Sequence, residues 1–359
     1  MINVTKAFLP PIHEYTNYIN DIFSRIWLTN NGPLVNELEL NIKDYLDVPH
    51  MLFLNNGTIA IQLAIKTLKL HGEVITTPFS YVATTSSLIW ENCRPVFVDI
   101  DSKTLNIDPA KIEEAITPAT TAILATHVFG NPCDVDSIKA IADKHGLKII
   151  YDAAHCFGTK MHGKSVFEFG DISTTSFHAT KLFHTVEGGA VFTMNAELLR
   201  QMSLFRNFGH TTPVTFEGAG INAKNSEFHA AMGLCNLKYI DAIIAKRKEQ
   251  WLHYADLLKG LNGQLISITP GSEFNYSYFP VIFPSESFLL KCIEALNLQY
   301  VYPRRYFYPS LNTLGYVEYK SCPVSESAAQ RVLCLPLYHD LRPEEQRMIT
   351  RILLRVQNN

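Results

Sequence analysis

Between residue 50 and about residue 195, short apolar runs alternate with amphipathic stretches, and that alternation leaves few folds open to the chain. MLFLNN (51–56) reads as an apolar strand ending at Asn55-Asn56-Gly57, and EVITTP (73–78), PVFVDI (95–100), TAILATHVFG (121–130) and KIIYDAA (148–154) are rich in β-branched residues and bounded by Gly, Pro or Asp, as strands are. Between the first two lies TIAIQLAIKTLKL, apolar at 59, 61, 63, 65 and 68. That spacing fits helix or strand, but the length and Gly57 at the entrance favour a helix. The rhythm predicts an α/β fold around a parallel sheet.

Beyond Gly209 the segment TTPVTFEGAGINAKN (211–225) has little periodicity and leads into one long helical stretch over 226–261. This stretch is the expected link between a large α/β domain, 1–240, and a small C-terminal α/β domain, 241–359. The latter contains SYFPVIF (277–283), the Pro- and Tyr-rich YVYPRRYFYPSL (300–311) and a closing helix over 343–356.

With 359 residues, 47% hydrophobic and 18% charged, the chain can fill two such cores and is not a disordered one. Its formal charge of −3 excludes a broad electrostatic footprint for nucleic acid or an anionic membrane, so any anion site must be local. The start, MINVTKAFLPPIHEY, lacks the basic flank and apolar core of a secretory signal, and no run of about 18 apolar residues occurs. The expectation is a soluble cytoplasmic protein. Seven dispersed cysteines without a CxxC pair suggest buried thiols rather than disulfides or zinc. The 13 histidines include no HExxH, and no metal is expected.

Three places could carry chemistry. At Asn56-Gly57-Thr58 a strand meets a helix start, where free N–H groups and the helix dipole attract anions; an ordinary helix start looks the same. Asp152 closes an apolar strand, at the sheet edge where open α/β folds hold ligands, with His155 three residues on; a helix cap and a satisfied histidine are the plain alternatives. Lys181 stands in a polar turn between the strand-like 172–178 and Gly188-Gly189, a setting suited to Schiff-base chemistry, though a surface lysine would read alike. Together they match the needs of pyridoxal phosphate: an anion cradle, a carboxylate for the ring nitrogen, and a lysine for the aldehyde.

TNNGPLVNELE (29–39), NNGTIAIQLA (55–64), TTPFSYVATTSS (76–87), HVFGNPCDVDSI (127–138), YDAAHCFG (151–158), SFHATKLFHTVEGGA (176–190), GINAKNSEFHAAMG (220–233), RRYFYPSL (304–311) and CPVSESAAQRVLCLPLY (322–338) stand in the order they have in the DegT/DnrJ/EryC1/StrS sugar aminotransferases. The chain resembles that family over essentially its whole length. The resemblance implies fold type I of the pyridoxal phosphate enzymes, aspartate aminotransferase-like, with a large mostly parallel sheet domain and a small C-terminal domain. It further implies that Lys181 holds the cofactor's aldehyde, Asp152 binds its ring nitrogen and His155 lies by its ring hydroxyl. Tyr81 would stack on the ring, with Gly57, Thr58 and Ser176 on the phosphate and Asn222 reaching a phosphate across a homodimer interface. Ala223-Lys224-Asn225 departs from the family's Tyr-Arg-Met, whereas a lysine at 181, where the dehydratase branch has histidine, favours transamination.

By the same resemblance, Thr29, Asn30, Arg304, Arg305, Tyr306 and Tyr308 would bind a dTDP-linked keto sugar, with L-glutamate as donor and 2-oxoglutarate as its product. The 176–189 core and the INVTK start look most like enzymes that aminate carbon 4 of dTDP-4-keto-6-deoxyglucose for O-antigen or related glycans. Carbon-3 amination of a dTDP-3-keto-6-deoxyhexose is the alternative within the class, and a non-catalytic cofactor-binding regulator the alternative outside it.

Overall fold

The computed structural model describes residues 1–358. Its centre is a seven-stranded sheet of β1 (Met51–Leu54), β2 (Glu73–Thr76), β3 (Arg94–Phe97), β4 (Thr120–Thr126), β5 (Lys148–Asp152), β6 (Ile172–Ser176) and β7 (Gly189–Phe192), in the spatial order β1-β7-β6-β5-β4-β2-β3. β2 through β6 run parallel, but β7 is antiparallel to both of its neighbours, β1 and β6. The parallel-sheet expectation is corrected there. The loop 177–188 folds back on itself, Phe177 N–H to Gly188 O and Ala179 N–H to Val186 O, and so returns the chain as a hairpin and not through the crossover a parallel pair needs.

β1, β2 and the middles of β4 and β5 read as apolar runs because helices cover both faces, whereas β6, Ile172–Ser176, is mostly buried and carries four hydroxyl residues. α3 (Gly57–Thr67) is buried nearly all round, against the sheet, α4 (Val82–Trp90) and α6 (Ala196–Phe205), which is why its sequence shows no clear helical stripe. On another core, α1 (Ile12–Arg25), α2 (Pro33–Leu46) and α7 (Glu227–Leu237) pack together with Phe53, Phe177 and Phe183. α5 (Val135–His145) completes the crossover between β4 and β5.

The single helix expected over 226–261 is two: α7 ends at Leu237, and α8 (Ile240–Leu257) starts after Tyr239. No Gly or Pro marks the break. Beside it Asn236, in the last turn of α7, donates its side-chain amide to the His184 carbonyl at 2.8 Å, which ties the end of α7 to the loop after β6. α8 then runs to a small antiparallel sheet of β8 (Gln264–Leu265), β9 (Phe279–Ile282) and β10 (Val332–Leu335), packed with α9 (Glu286–Asn297), α10 (Pro323–Arg331) and the closing α11 (Pro343–Asn358). Ile2 and Asn3 pair in parallel with Val301 and Tyr302, so the first residues join this C-terminal part. All seven cysteines are buried and unbridged, and no helix among the described residues is long and apolar enough to cross a membrane.

Candidate active site

Strand register delivers the first group. Asp152, the last residue of β5, stands level with Thr126 of β4 and Thr174 of β6, at the carboxyl edge where a parallel sheet leaves its crevice. It is 6% exposed. Its Oδ2 accepts from Thr84 Oγ1 at 2.7 Å and its Oδ1 from the Ala154 N–H at 3.2 Å. Thr84 is itself held by Ser80, whose hydroxyl lies 2.8 Å from it and 3.0 Å from Thr126. Burial pushes the Asp152 carboxyl upward; the two hydrogen bonds and the charge of Lys181 pull it back only in part. A cationic N–H beside it would complete the compensation.

Lys181 sits in the loop between β6 and β7, which folds back through Phe177 N–H to Gly188 O and Ala179 N–H to Val186 O, both 2.8 Å. A further 2.8 Å bond from the Lys181 N–H to His178 O turns the chain so that the lysine faces Asp152's crevice rather than a helix surface. Among the described residues its amine has no hydrogen-bond or ion-pair partner, and burial lowers its pKa to about 8, with Asp152 opposing the shift. His155 is 8% exposed, held neutral by burial first and Lys181's charge second, and its Nδ1 is buried without a partner.

The start of α3 supplies the third element. Asn56 caps it, accepting from Ile59 N–H at 2.8 Å, and this leaves the Gly57 and Thr58 N–H groups free at the positive end of the helix. β6 and β7 run hard against this turn. A Cβ on Gly57 would stand 2.8 Å from Ser176 Cβ, and one on Gly189 would stand 2.4 Å from the Asn56 carbonyl carbon.

These three elements wall one cavity of about 310 Å³, which Gly57, Thr58, Tyr81, Asp152, His155, Ser176, Lys181 and Tyr306 all line. Tyr81, at the start of α4, is 56% exposed at its mouth. The other expected residues lie off the wall. Asn30 borders a separate groove with Arg206, His210 and Lys224, and the Thr29 carbonyl accepts from Trp27 Nε1 at 2.6 Å. Asn222 is exposed, bridged to Asn207. Arg304 is exposed and pairs through its backbone with Cys334. Arg305 is not a free cation: it bonds Glu286 at 2.6 Å and its guanidinium lies 3.5 Å from the ring centre of Tyr308.

Sequence reasoning missed Ser80, Thr84, His127 and Tyr278. Ser80 and Thr84 stand four apart where a strand gives way to a helix, a spacing that puts both hydroxyls on one side. His127 accepts the Cys133 N–H on Nδ1 at 2.9 Å, so Nε2 carries its proton; burial lowers its pKa to about 3.

Comparison with known proteins shows the family and the fold. The chain is 41% identical over 365 residues, 98% of each chain, to the dTDP-4-amino-4,6-dideoxy-D-glucose transaminase of Escherichia coli. It is 43% identical over 348 residues, 95% of each chain, to the enzyme of the same description from Shigella dysenteriae. The crystal structure of DesI in the presence of its TDP-sugar product superimposes with a TM-score of 0.93 at 31% identity, covering 99% of this chain and 93% of that one. The profile that matches residues 12–354 names the group: this chain is an enzyme of the DegT/DnrJ/EryC1/StrS aminotransferase family.

Proposed function

We propose that this chain binds pyridoxal phosphate and transfers an amino group from L-glutamate to carbon 4 of dTDP-4-keto-6-deoxy-D-glucose, giving dTDP-4-amino-4,6-dideoxy-D-glucose. The observation that carries the cofactor reading is the convergence of Lys181, Asp152, His155 and the open α3 start on one cavity. The residues fit the group: among the described residues a buried carboxylate has no ion-pair partner and is only partly compensated by Lys181, a buried imidazole nitrogen has no hydrogen-bond partner, and two N–H groups await an anion where no side chain fits at Gly57. The carbon-4 reading is supported by the relatives at 41% and 43% identity.

Pyridoxal phosphate, when bound, supplies an electron-withdrawing ring and a carbon that carries the amino group between substrates. The chain's own groups do the rest. Gly57 and Thr58 N–H, with the hydroxyls of Thr58 and Ser176, hold the phosphate. Asp152, aimed by Thr84 and the Ala154 N–H, holds a proton on the ring nitrogen. Lys181, its amine freed by burial, moves a proton to and from the reacting carbon of each substrate. Tyr81 covers the cavity mouth and excludes water from one ring face.

We also infer a cytoplasmic homodimer serving O-antigen or a related glycan, with residues 1–240 as the cofactor-binding unit and 241–359 as the smaller one. In a dimer the off-wall residues find a use. Leu28 O accepts the Glu227 N–H at 3.0 Å and Arg206 bonds Asn31 at 2.9 Å, so Thr29, Asn30 and Asn222 stand on one exposed face. Phe23, Ile26 and Trp27, in the segment that leads to Thr29, and Phe208 and Ile221, beside Asn222, are exposed apolar groups suited to burial against a second copy. Arg304, Tyr306 and Tyr308 approach the mouth from the C-terminal part to meet the nucleotide.

Incubating the protein with pyridoxal phosphate, glutamate and dTDP-4-keto-6-deoxyglucose, and identifying the product by mass and NMR, tests the proposal. A 4-amino-4,6-dideoxy product is expected. Glutamate-driven conversion of the cofactor without sugar product would overturn carbon 4 and direct the assay to the 3-keto isomer.

A further inference from the structure

His155 is fixed by its backbone, and the groups that fix it come from the far end of the chain. Asn275 Nδ2 donates to His155 O at 2.8 Å and to Phe157 O at 3.0 Å, across 120 residues of sequence in the first case. Ser277 Oγ reaches the same His155 oxygen at 2.6 Å. Asn275 and Ser277 are 1% and 4% exposed. The next residue, Tyr278, places its ring 4.6 Å from the His155 imidazole and lines the cavity. The segment that carries all three runs directly into β9 of the small sheet.

Behind this segment lies a buried cation. Arg247 of α8, 3% exposed, donates from Nη1 to Ser277 O at 2.9 Å, and its Nε is buried without a partner. No carboxylate pairs with it among the described residues. Burying an arginine without a counter-ion is expensive, and a position that needed only bulk would be filled more stably by an apolar side chain. What the guanidinium adds is a charge-assisted bond to the carbonyl between Ser277 and Tyr278. Gly130 closes the network on the other side: with φ at +89°, a Cβ there would stand 2.4 Å from Asn275 Oδ1 and 2.8 Å from His155 O. The fit leaves no room for slack.

We propose that Asn275 and Ser277, braced by Arg247, are positioning residues that fix the His155 imidazole in the cofactor site, so that the C-terminal part of the chain sets the electronic state of the bound cofactor. This rests on the reading of His155 as the neighbour of the cofactor's ring hydroxyl. The titratable groups that share the cavity with His155 are Asp152 of β5, His127 after β4, His178, Lys181 and Glu187 of the loop after β6, and Tyr81, Tyr278 and Tyr306, of which Tyr278 packs on the imidazole from the small-sheet side. Neither the Asn275 nor the Ser277 side chain bonds any of these groups, whereas the charge of Arg247 also acts on Tyr278; a change in the cofactor's own titration at Ser277→Ala therefore reports the position of His155, and Arg247→Lys supports it by keeping that charge.

The test is a pH titration of the cofactor's visible absorbance in the holoenzyme. Ser277→Ala is expected to move the midpoint by about half a pH unit or more, a roughly threefold change in proton affinity, in the direction His155→Asn moves it. Ser277→Thr, which keeps the hydroxyl, restores the wild-type midpoint. Arg247→Lys, which keeps the charge but loses the fork, gives a smaller shift of the same sign. Adding Ser277→Ala to His155→Asn gives no further shift. A merely structural role would lower the melting temperature and leave the midpoint in place. If His155→Asn shifts the midpoint while Ser277→Ala and Arg247→Lys do not, the positioning role is overturned. If His155→Asn leaves it unmoved, the reading of His155 fails first and takes this proposal with it.

Discussion

At Asp152 burial and hydrogen bonding pull in opposite directions, and burial prevails. A carboxylate in that state is poised for a cationic partner, so Asp152→Ala should reduce kcat by orders of magnitude with the far-UV circular dichroism unchanged. Thr84 is the milder probe. Thr84→Val keeps the shape but leaves one carboxylate oxygen without its donor, a loss of about 1.5–3 kcal/mol for a bond to a charged group, or roughly 10- to 150-fold in kcat/KM. Lys181 gives a pH signature. Its amine is protonated below about 8 and free above. Stopped-flow absorbance should therefore show the apoprotein capturing pyridoxal phosphate faster as pH rises, by about tenfold per unit below that value and levelling off above it. At this scale Lys181, Asp152 and His155 were legible because each is an unusual residue in its place, whereas Ser80 and Thr84 were not: hydroxyls beginning a helix are ordinary, and only strand order brings them to Asp152.

The turn from β1 into α3 works because two backbones approach it closely. At Gly57 a methyl group would meet Ser176 Cβ at 2.8 Å, with the Thr175 carbonyl 3.3 Å away, in the space where the α3 N–H groups must face a phosphate. Gly57→Ala should raise the cofactor's Kd by about 5- to 150-fold, read by equilibrium dialysis, because overpacking of this kind costs about 1–3 kcal/mol. Elements were legible where a local pattern decided them. The strands from β2 to β5 and the closing α11 stand close to their expected places because β-branched runs and a Pro-started amphipathic helix need no distant partner to be recognised. The antiparallel β7 and the break between α7 and α8 were hidden, since the first depends on which edge the loop 177–188 reaches and no Gly or Pro marks the second, beside which Asn236 bonds the His184 carbonyl.

For the whole molecule, the division of the expected residues between a cavity wall and a remote face is what the proposed two-copy site would produce. Lys181 lines its own cavity, while Asn222 stands outside on the face that carries Asn30 and the exposed Phe208 and Ile221. Within this chain Asn222 does not line the cavity, and periodicity could not report the contact between chains that the proposal assigns to it. Sedimentation should therefore show a dimer, and complementation separates a shared site from one that is merely adjacent. Lys181→Ala alone removes the moving amine, and Asn222→Ala alone weakens the phosphate hold; neither homodimer should turn over well. Unfolding and refolding the two together gives about half heterodimers, in each of which one site carries both substitutions and the other carries neither. About a quarter of wild-type sites should then recover, and the activity of the mixture should rise toward that fraction. If Asn222 served the cavity of its own chain, every site in the heterodimer would keep one defect, and mixing would recover nothing.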